Sequence, residues 1–312
     1  MKNAIALFLA LCLTLALSCA LADGLSIDHL TVTYVTSPLN IPSIVEKENH
    51  IFENTLGIPV DYAEITSGAD QTQALASGDV QLLYAVGGTS VILSAANGAD
   101  IKVLNMYSRA PEAFCMYSKD DSLTTPESLR GKVIAGPAGT NLHELLVAYL
   151  NTAGMTIDDV QYISMGIPES KAALDGGSAD VALLGGAAAY NASKQGYHLV
   201  ASGKGLIKAI IAVAVTQAFA DAHPDVIAAL SEAEQKIMDT IQADPEAAYA
   251  LAASYLDLTP DAVRDMAAAY DFSLAITQED KAGFQNTADF MSASQMIDEP
   301  YDVIGLFMDD AR

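Results

Sequence analysis

The chain has 312 residues, 51% of them hydrophobic and 17% charged, which excludes a disordered chain and leaves one large domain or two lobes open. Lys plus Arg number 15 against 39 Asp plus Glu, a formal net charge of −24. That balance argues against nucleic acid or an anionic lipid surface as a partner, because both demand clustered cations.

The chain opens with Met1-Lys2-Asn3 and a Leu/Ala-rich run from Ala4 to Ala22, closing on Ala20-Leu21-Ala22 before Asp23. A cation, an apolar run and an A-x-A site form the layout of a secretory signal peptide, so residues 1–22 are expected to be removed on export. Two other readings stand beside it: an uncleaved anchor, since the run is borderline in length for a span, and a lipoprotein acylated at Cys19. Cleavage after Ala22 also removes Cys12 and Cys19, leaves Cys115 alone and precludes an internal disulfide. Cys115 lies in the apolar run Ala113-Phe114-Cys115-Met116-Tyr117 and is expected to be a buried, inert thiol.

Strands and helices then alternate. Leu30 to Val35 is a β-branched run that ends at Ser37-Pro38-Leu39-Asn40, and a helix follows from about Pro42 with Ile44, Val45 and Ile51 on one face. Val60 to Ile65, Val80 to Val86 and Ile101 to Met106 read as further strands, separated by helices that stop at Ser77-Gly78 and Asn97-Gly98. The scheme restarts with strands at Phe114 to Ser118, Lys132 to Ala135, Val160 to Ile163, Val181 to Leu184 and His198 to Val200. Thr125-Pro126-Glu127 opens a short helix. Asn141 to Ala153 is amphipathic, with Leu142, Leu145, Leu146, Tyr149 and Leu150 inward. From His223 onward helices dominate, starting at His223-Pro224-Asp225, Asp244-Pro245-Glu246 and Thr259-Pro260-Asp261, each a capping residue followed by Pro at the first helical position. This grammar predicts parallel sheets with right-handed crossovers.

One unit occurs twice. Ala74-Leu75-Ala76-Ser77-Gly78-Asp79-Val80 leads through a strand to Gly87-Gly88, and Ala173-Leu174-Asp175-Gly176-Gly177 with Asp180-Val181 leads through a strand to Gly185-Gly186. The repeat predicts two similar α/β lobes facing each other.

Ligands of open parallel sheets bind beyond the carboxyl ends of the strands. Here those ends carry Ser37-Pro38-Leu39-Asn40, Ser67-Gly68-Ala69-Asp70, Gly87-Gly88-Thr89-Ser90 and Gly139-Thr140-Asn141, each running into a helix N-terminus. Such ends can hold a small anion without Arg or Lys. Ser37, Asn40, Ser67, Thr89, Thr140 and Asn141, with the backbone at Gly68, Gly87, Gly88, Gly139, Gly185 and Gly186, are the candidates for the polar head. Leu39, Tyr107 and Met165 would cover an apolar part, and His143 would face the cleft. Asp70 would hold a ligand ammonium or cap its own helix, and Arg109, beside Ala110-Pro111, would sit where a crossing segment passes the cleft.

Enzyme motifs are missing from the sequence: no G-x-S-x-G, no G-x-x-x-x-G-K-[ST] and no H-E-x-x-H. His29, His50, His143, His198 and His223 are scattered without ligand spacing, so neither a metal nor a cofactor is expected. Asp120-Asp121 and Asp158-Asp159 read as solvated caps.

In its ordered residues the chain resembles the substrate-binding proteins of ABC importers in the nitrate/taurine/aliphatic-sulfonate (NitT/TauT-like) branch. The resemblance rests on Ser37 to Pro42 with Val45-Glu46-Lys47-Glu48 and Ile51-Phe52-Glu53, then Ala74-Leu75 with Gly78-Asp79-Val80, and Ala95 to Asp100. Thr125 to Lys132, Gly139-Thr140 with His143-Glu144-Leu145-Leu146, and Phe219-Ala220 with His223-Pro224-Asp225-Val226 complete it. Where relatives carry an aromatic–acidic motif after the Val181 strand, this chain has Gly185-Gly186-Ala187-Ala188-Ala189-Tyr190, and it has no Trp. The resemblance implies an α/β, two-lobed periplasmic-binding-protein-like fold of type II, each lobe a mostly parallel sheet flanked by helices, with the ligand cleft between them. It implies lobes at 23–110 plus 212–312 and at 111–211, joined by two crossing strands. It further implies an exported monomer that delivers a small anionic or zwitterionic molecule to a membrane permease. A bilobal enzyme of the menaquinone-biosynthesis dehydratase type and a ligand sensor for a membrane receptor are the alternatives.

Overall fold

The computed structural model describes residues 24–36 and 38–308. The expected signal segment, with Cys12 and Cys19, and the candidate Ser37 lie outside the described residues.

In chain order the first half of the fold is β1 (Leu30–Thr33), α1 (Ile41–Asn49), α2 (Ile51–Leu56), β2 (Val60–Ala63), α3 (Gly68–Ser77), β3 (Leu83–Gly87), α4 (Gly88–Ala96) and β4 (Lys102–Arg109). The chain then crosses to β5 (Phe114–Ser118), β6 (Val133–Gly136), α5 (Asn141–Asn151), β7 (Gln161–Ser164), α6 (Ile167–Gly176), β8 (Val181–Gly185), α7 (Gly186–Lys194) and β9 (His198–Ser202). It returns through β10 (Ile210–Val215) and finishes in α8 (Gln217–Ala222), α9 (Pro224–Ala243), α10 (Pro245–Leu256), α11 (Pro260–Ala267) and α12 (Gln278–Ala293).

The second sheet has the order β7-β6-β8-β5-β9. The first half holds a β1-β2 pair and a β3-β10-β4 sheet, linked by a parallel bridge between Val32 and Leu82. Taken through that bridge, the order is β2-β1-β3-β10-β4, the same pattern with the same directions. Four of the five strands run in one direction, and the fourth position is filled by an antiparallel strand, β10 in one lobe and β5 in the other. Each inserted strand is the first strand after a crossing between lobes. The sheets are mostly parallel, as expected, and the strand missed in the sequence is the inserted one: Ile210-Ile211-Ala212-Val213-Ala214-Val215 is buried at every position. A continuous apolar run without alternation marks a strand covered on both faces. The repeat seen in the sequence falls on α3-β3-α4 and α6-β8-α7, equivalent positions in the two lobes.

Local signals placed the helices well. α9, α10 and α11 begin at Pro224, Pro245 and Pro260, where a missing N–H costs nothing. Asp244 accepts from Ala247 N at 3.0 Å and Thr259 from Ala262 N at 3.2 Å. His223 makes no such cap; its Nδ1 meets Ser26 Oγ at 2.8 Å. The first predicted helix is broken in two, because His50 takes a left-handed backbone with φ 51°.

Glu234 of α9 is a buried carboxyl inside the first lobe, 1% exposed. Asn105 Nδ2 donates to one of its oxygens, while its Oε1 and Asn105 Oδ1 have no partner among the described residues. Burial pushes its pKa up to about 8, against the opposing pull of the Asn105 bond. The folded state therefore keeps the proton that the unfolded chain gives up near its ordinary value. The stabilisation is complete below that ordinary value and is lost as pH rises through about 8. Glu234→Gln, neutral throughout, should gain on the native protein as pH climbs from 5 to 9, by an amount on the order of 3 kcal/mol. Melting curves of both proteins across that range check it, and a constant difference in melting temperature would show that Glu234 does not titrate on unfolding.

Candidate functional site

Two helices after the third strand of each lobe start alike. α4 opens at Gly88 behind Gly87, α7 opens at Gly186 behind Gly185, and neither start has a side-chain cap. Their first-turn N–H groups are thus left without a side-chain partner at the carboxyl edges of both sheets. α5 differs: Thr140 Oγ1 accepts from Leu142 N at 3.3 Å and donates to Pro137 O at 2.9 Å.

The lobes meet along a polar seam. Thr89, on α4, places its Oγ1 2.7 Å from Asn141 Oδ1 and 3.1 Å from Glu144 Oε2, both on α5. Thr287, on α12, donates to Glu144 Oε1 at 2.9 Å. Thr89, Asn141 and Glu144 are all at least nine-tenths buried. Burial raises the Glu144 pKa, with the Thr287 and Thr89 bonds opposing. A hydroxyl has one proton to donate, so Thr89 Oγ1 gives it to one of these two oxygens at a time.

At the start of α7 the Pro38 loop rests on Gly186. A Cβ on Gly186 would lie 2.1 Å from Pro38 O, and Gly186 itself has φ 58°. Only glycine allows that approach. Beyond it lies a cavity of about 180 Å³, walled by Cys115, Tyr117, Gly186 and Tyr190 on one side and by Met266 and Tyr270 on the other. A larger surface recess of about 820 Å³, around Leu25 to His29, Asp79 and His223, shares no residue with either feature.

A model of the NMT1/THI5-like family matches residues 38–248, two thirds of the chain, and so spans both lobes and both crossings. The chain belongs to the NMT1/THI5-like family. It is 28% identical over 221 residues to the taurine-binding periplasmic protein of Escherichia coli (strain K12), covering 70% of this chain and 68% of that one. Its fold is that of the alkanesulfonate-binding protein SsuA from Xanthomonas axonopodis pv. citri bound to MOPS (TM-score 0.82, 20% identity, 92% of this chain and 99% of that one). It also matches the periplasmic aliphatic sulphonate binding protein SsuA from Escherichia coli (TM-score 0.79, 20% identity, 90% and 97%). The two-lobed periplasmic-binding-protein fold expected from the sequence is thus the fold of this NMT1/THI5-like chain.

Of the residues singled out in the sequence, the structure brings Thr89 to Asn141, places Gly88 at the start of α4 beside Thr89, and sets Gly185 and Gly186 at the start of α7 against Pro38. Gly68 approaches α4, since a Cβ there would meet Ser90 Oγ at 2.1 Å. Gly139 donates from N to His143 Nδ1 at 3.3 Å, and the His143 ring stacks on Tyr162 at 5.0 Å. Burial lowers the His143 pKa, which keeps the ring neutral and bars it from serving as a resident cation. Met165 is half-buried at the end of β7, its N–H bonded to Gly136 O.

Five candidates are corrected: Arg109, Tyr107, Leu39, Asn40 and Ser67. Arg109 spends all five donors inside the first lobe, on Asp280 (2.6 Å from both Nε and Nη2), the carbonyl and hydroxyl of Ser273 and the carbonyl of Ala275, so it has none left for a ligand. Tyr107 is 2% exposed, its hydroxyl 2.9 Å from Ser43 Oγ, and forms core rather than a cleft wall. Leu39 is fully buried in that same core, and Asn40 turns its amide onto Val35 O at 2.9 Å. Ser67 caps α3 by accepting from Asp70 N at 3.3 Å, which leaves the exposed Asp70 as a first-turn acid rather than a ligand group. Cys115 is buried as expected, and burial pushes its thiol up to about 11.

The sequence reading missed Glu144 as a seam residue, together with Thr287, Met266, Tyr190 and Tyr270. No local signal marks Thr287 or Tyr270; they reach the site only because α11 and α12 return to the boundary between the lobes.

Proposed function

We propose that the chain is the extracytoplasmic solute-binding component of an ABC importer. It captures a small organic anion or zwitterion of the sulfonate class between its lobes and delivers it to a membrane permease. The observation that carries this reading is the pair of uncapped Gly-Gly helix starts, Gly87-Gly88 and Gly185-Gly186, one from each lobe on equivalent α4 and α7. Several oriented N–H groups and two helix dipoles suit a sulfonate, and they do so in a protein of formal charge −24 because charges beyond a Debye length of about 8 Å are largely screened. Family membership and the printed ligands of the taurine and alkanesulfonate relatives agree with this class.

Residues 23–110 plus 212–312 and residues 111–211 would move as the two lobes, hinged at the crossings before β5 and β10, with ligand shifting an open–closed equilibrium. Export would use residues 1–22, with cleavage after Ala22 or lipid attachment at Cys19, and the working form would be a monomer outside the cytoplasmic membrane. A binding role rather than catalysis is favoured by Cys115, whose raised pKa keeps it a thiol at neutral pH.

A thermal-shift series with methanesulfonate, taurine, nitrate and carboxylates tests this. A ligand at one hundred times its Kd stabilises the fold by about 2.7 kcal/mol, a rise of roughly 5–10 °C for a chain of this size. One-to-one binding of a sulfonate without turnover is the expected result. Absence of any shift, or release of a product, would overturn the reading.

A further inference from the structure

The recess of about 180 Å³ between α7 and the end of α11 opens to solvent on one side. It equals the liquid volume of roughly six waters. Its walls come from both lobes: Tyr117 and Tyr190 from the second, Met266 and Tyr270 from the first. Lys194 of α7 and Asp265 of α11 form an ion pair at 3.6 Å beside it, so the two walls are held together at this border. One end of the cavity is Gly186, the uncapped start of α7. At another wall stands Tyr270, whose hydroxyl is sealed from solvent and has no partner among the described residues. An unpaired buried hydroxyl costs about 1–3 kcal/mol, a cost that an occupant with an oxygen atom removes.

We propose that this cavity is the compartment for the organic substituent of the ligand, and that the protein takes a sulfonate bearing a ring with one hydrogen-bonding oxygen in preference to a short-chain sulfonate. The inference rests on the reading of the chain as a sulfonate-binding protein. The sulfonate would sit at the α7 start, which has no side-chain cap. The ring would lie among Tyr117, Tyr190 and Met266, which offer aromatic faces and a polarisable thioether, with Glu112 as the charged residue of the lining. The Tyr270 hydroxyl would donate to the ring's oxygen.

Calorimetric titration of the protein with methanesulfonate, benzenesulfonate and 4-hydroxybenzenesulfonate tests the proposal. Benzenesulfonate is expected to bind at least tenfold more tightly than methanesulfonate, and the hydroxylated ring about fivefold more tightly again. Tyr270→Phe should erase the hydroxyl preference while keeping the ring preference. Ala269→Leu, which fills the cavity from the first-lobe wall, should bring the ratio of benzenesulfonate to methanesulfonate affinity close to one. Should Ala269→Leu fail to fold, Tyr270→Phe, which removes only an oxygen, still decides the assignment. Equal affinity for methanesulfonate and benzenesulfonate would overturn the compartment and leave sulfonate capture standing. Failure of every sulfonate to bind would instead overturn the reading beneath it. A hydroxyl preference unchanged in Tyr270→Phe would remove Tyr270 from the site.

Discussion

Gly186→Ala is expected to weaken ligand binding by at least a hundredfold. The added Cβ would lie 2.1 Å from the carbonyl oxygen of Pro38, a backbone atom that cannot swing aside as a side chain could. The clash exists only when the Pro38 loop lies on the α7 start, so it penalises the closed arrangement and spares the open one. Ligand affinity is reduced by whatever fraction of the protein can no longer close, and about 2.7 kcal/mol of bias amounts to a hundredfold. The φ of 58° adds a cost of about 1 kcal/mol that falls on both states and lowers the melting temperature without touching affinity. Gly185→Ala provides the contrast, since its Cβ would meet Pro38 Cβ at an ordinary 3.5 Å, and its loss should be far smaller. Titration with the best sulfonate of the thermal-shift series checks both variants. Undiminished affinity in Gly186→Ala would show that the Pro38–Gly186 contact is absent from the bound state.

Asp280→Ala should lower stability by about 3–5 kcal/mol, or roughly 10 °C in melting temperature. Asp280 is 4% exposed and receives Arg109 at both oxygens, 2.6 Å each, with Thr277 donating from its N–H and hydroxyl at 2.7 Å. Burial works against its charge, yet the Arg109 and Thr277 donors hold its pKa below the usual carboxylate range. Removing the carboxylate strands a guanidinium that is itself only 15% exposed. Because the folded pKa is depressed, this contribution is present above the ordinary carboxylate range and fades as pH falls through the folded value. The native protein and Asp280→Ala should therefore converge in stability under acid. Arg109→Met combined with Asp280→Leu should recover part of the loss, since a well-packed apolar pair avoids both desolvation costs. Arg109 ends β4 immediately before the first crossing, so this clamp ties the hinge to the start of α12. A loss below about 1 kcal/mol in urea unfolding would mark the pair as surface-like and idle.

Much of the fold was legible in the sequence, and the legible parts share a cause. The starts at Pro224, Pro245 and Pro260, the stops at Gly78 and Gly177, and the strands Phe114–Ser118 and Val181–Gly185 follow from preferences that act over a few neighbouring residues. The doubled helix–strand–Gly-Gly unit was visible for the same reason, and it marked the equivalent starts of α4 and α7. The family resemblance carried the two-lobed architecture. Arg109 was misjudged because its position beside the crossing is readable, while its partner Asp280 is 171 residues away and gives no sign at Arg109 itself. Tyr107 failed likewise: whether an aromatic ring lines a cleft or fills a core depends on what packs over it, here Ser43 and Tyr84.

By itself, then, the sequence determined most of the secondary elements, the lobe repeat and the buried thiol, because these depend on local backbone preference. Only the tertiary structure decided which groups meet between the lobes: Glu144 with Thr89 and Thr287, Pro38 with Gly186, and Tyr270 with the cavity. Those encounters join residues 55 to more than 140 positions apart. Contacts at such separation are set by how sheets and returning helices pack, and no short-range pattern in the chain encodes them.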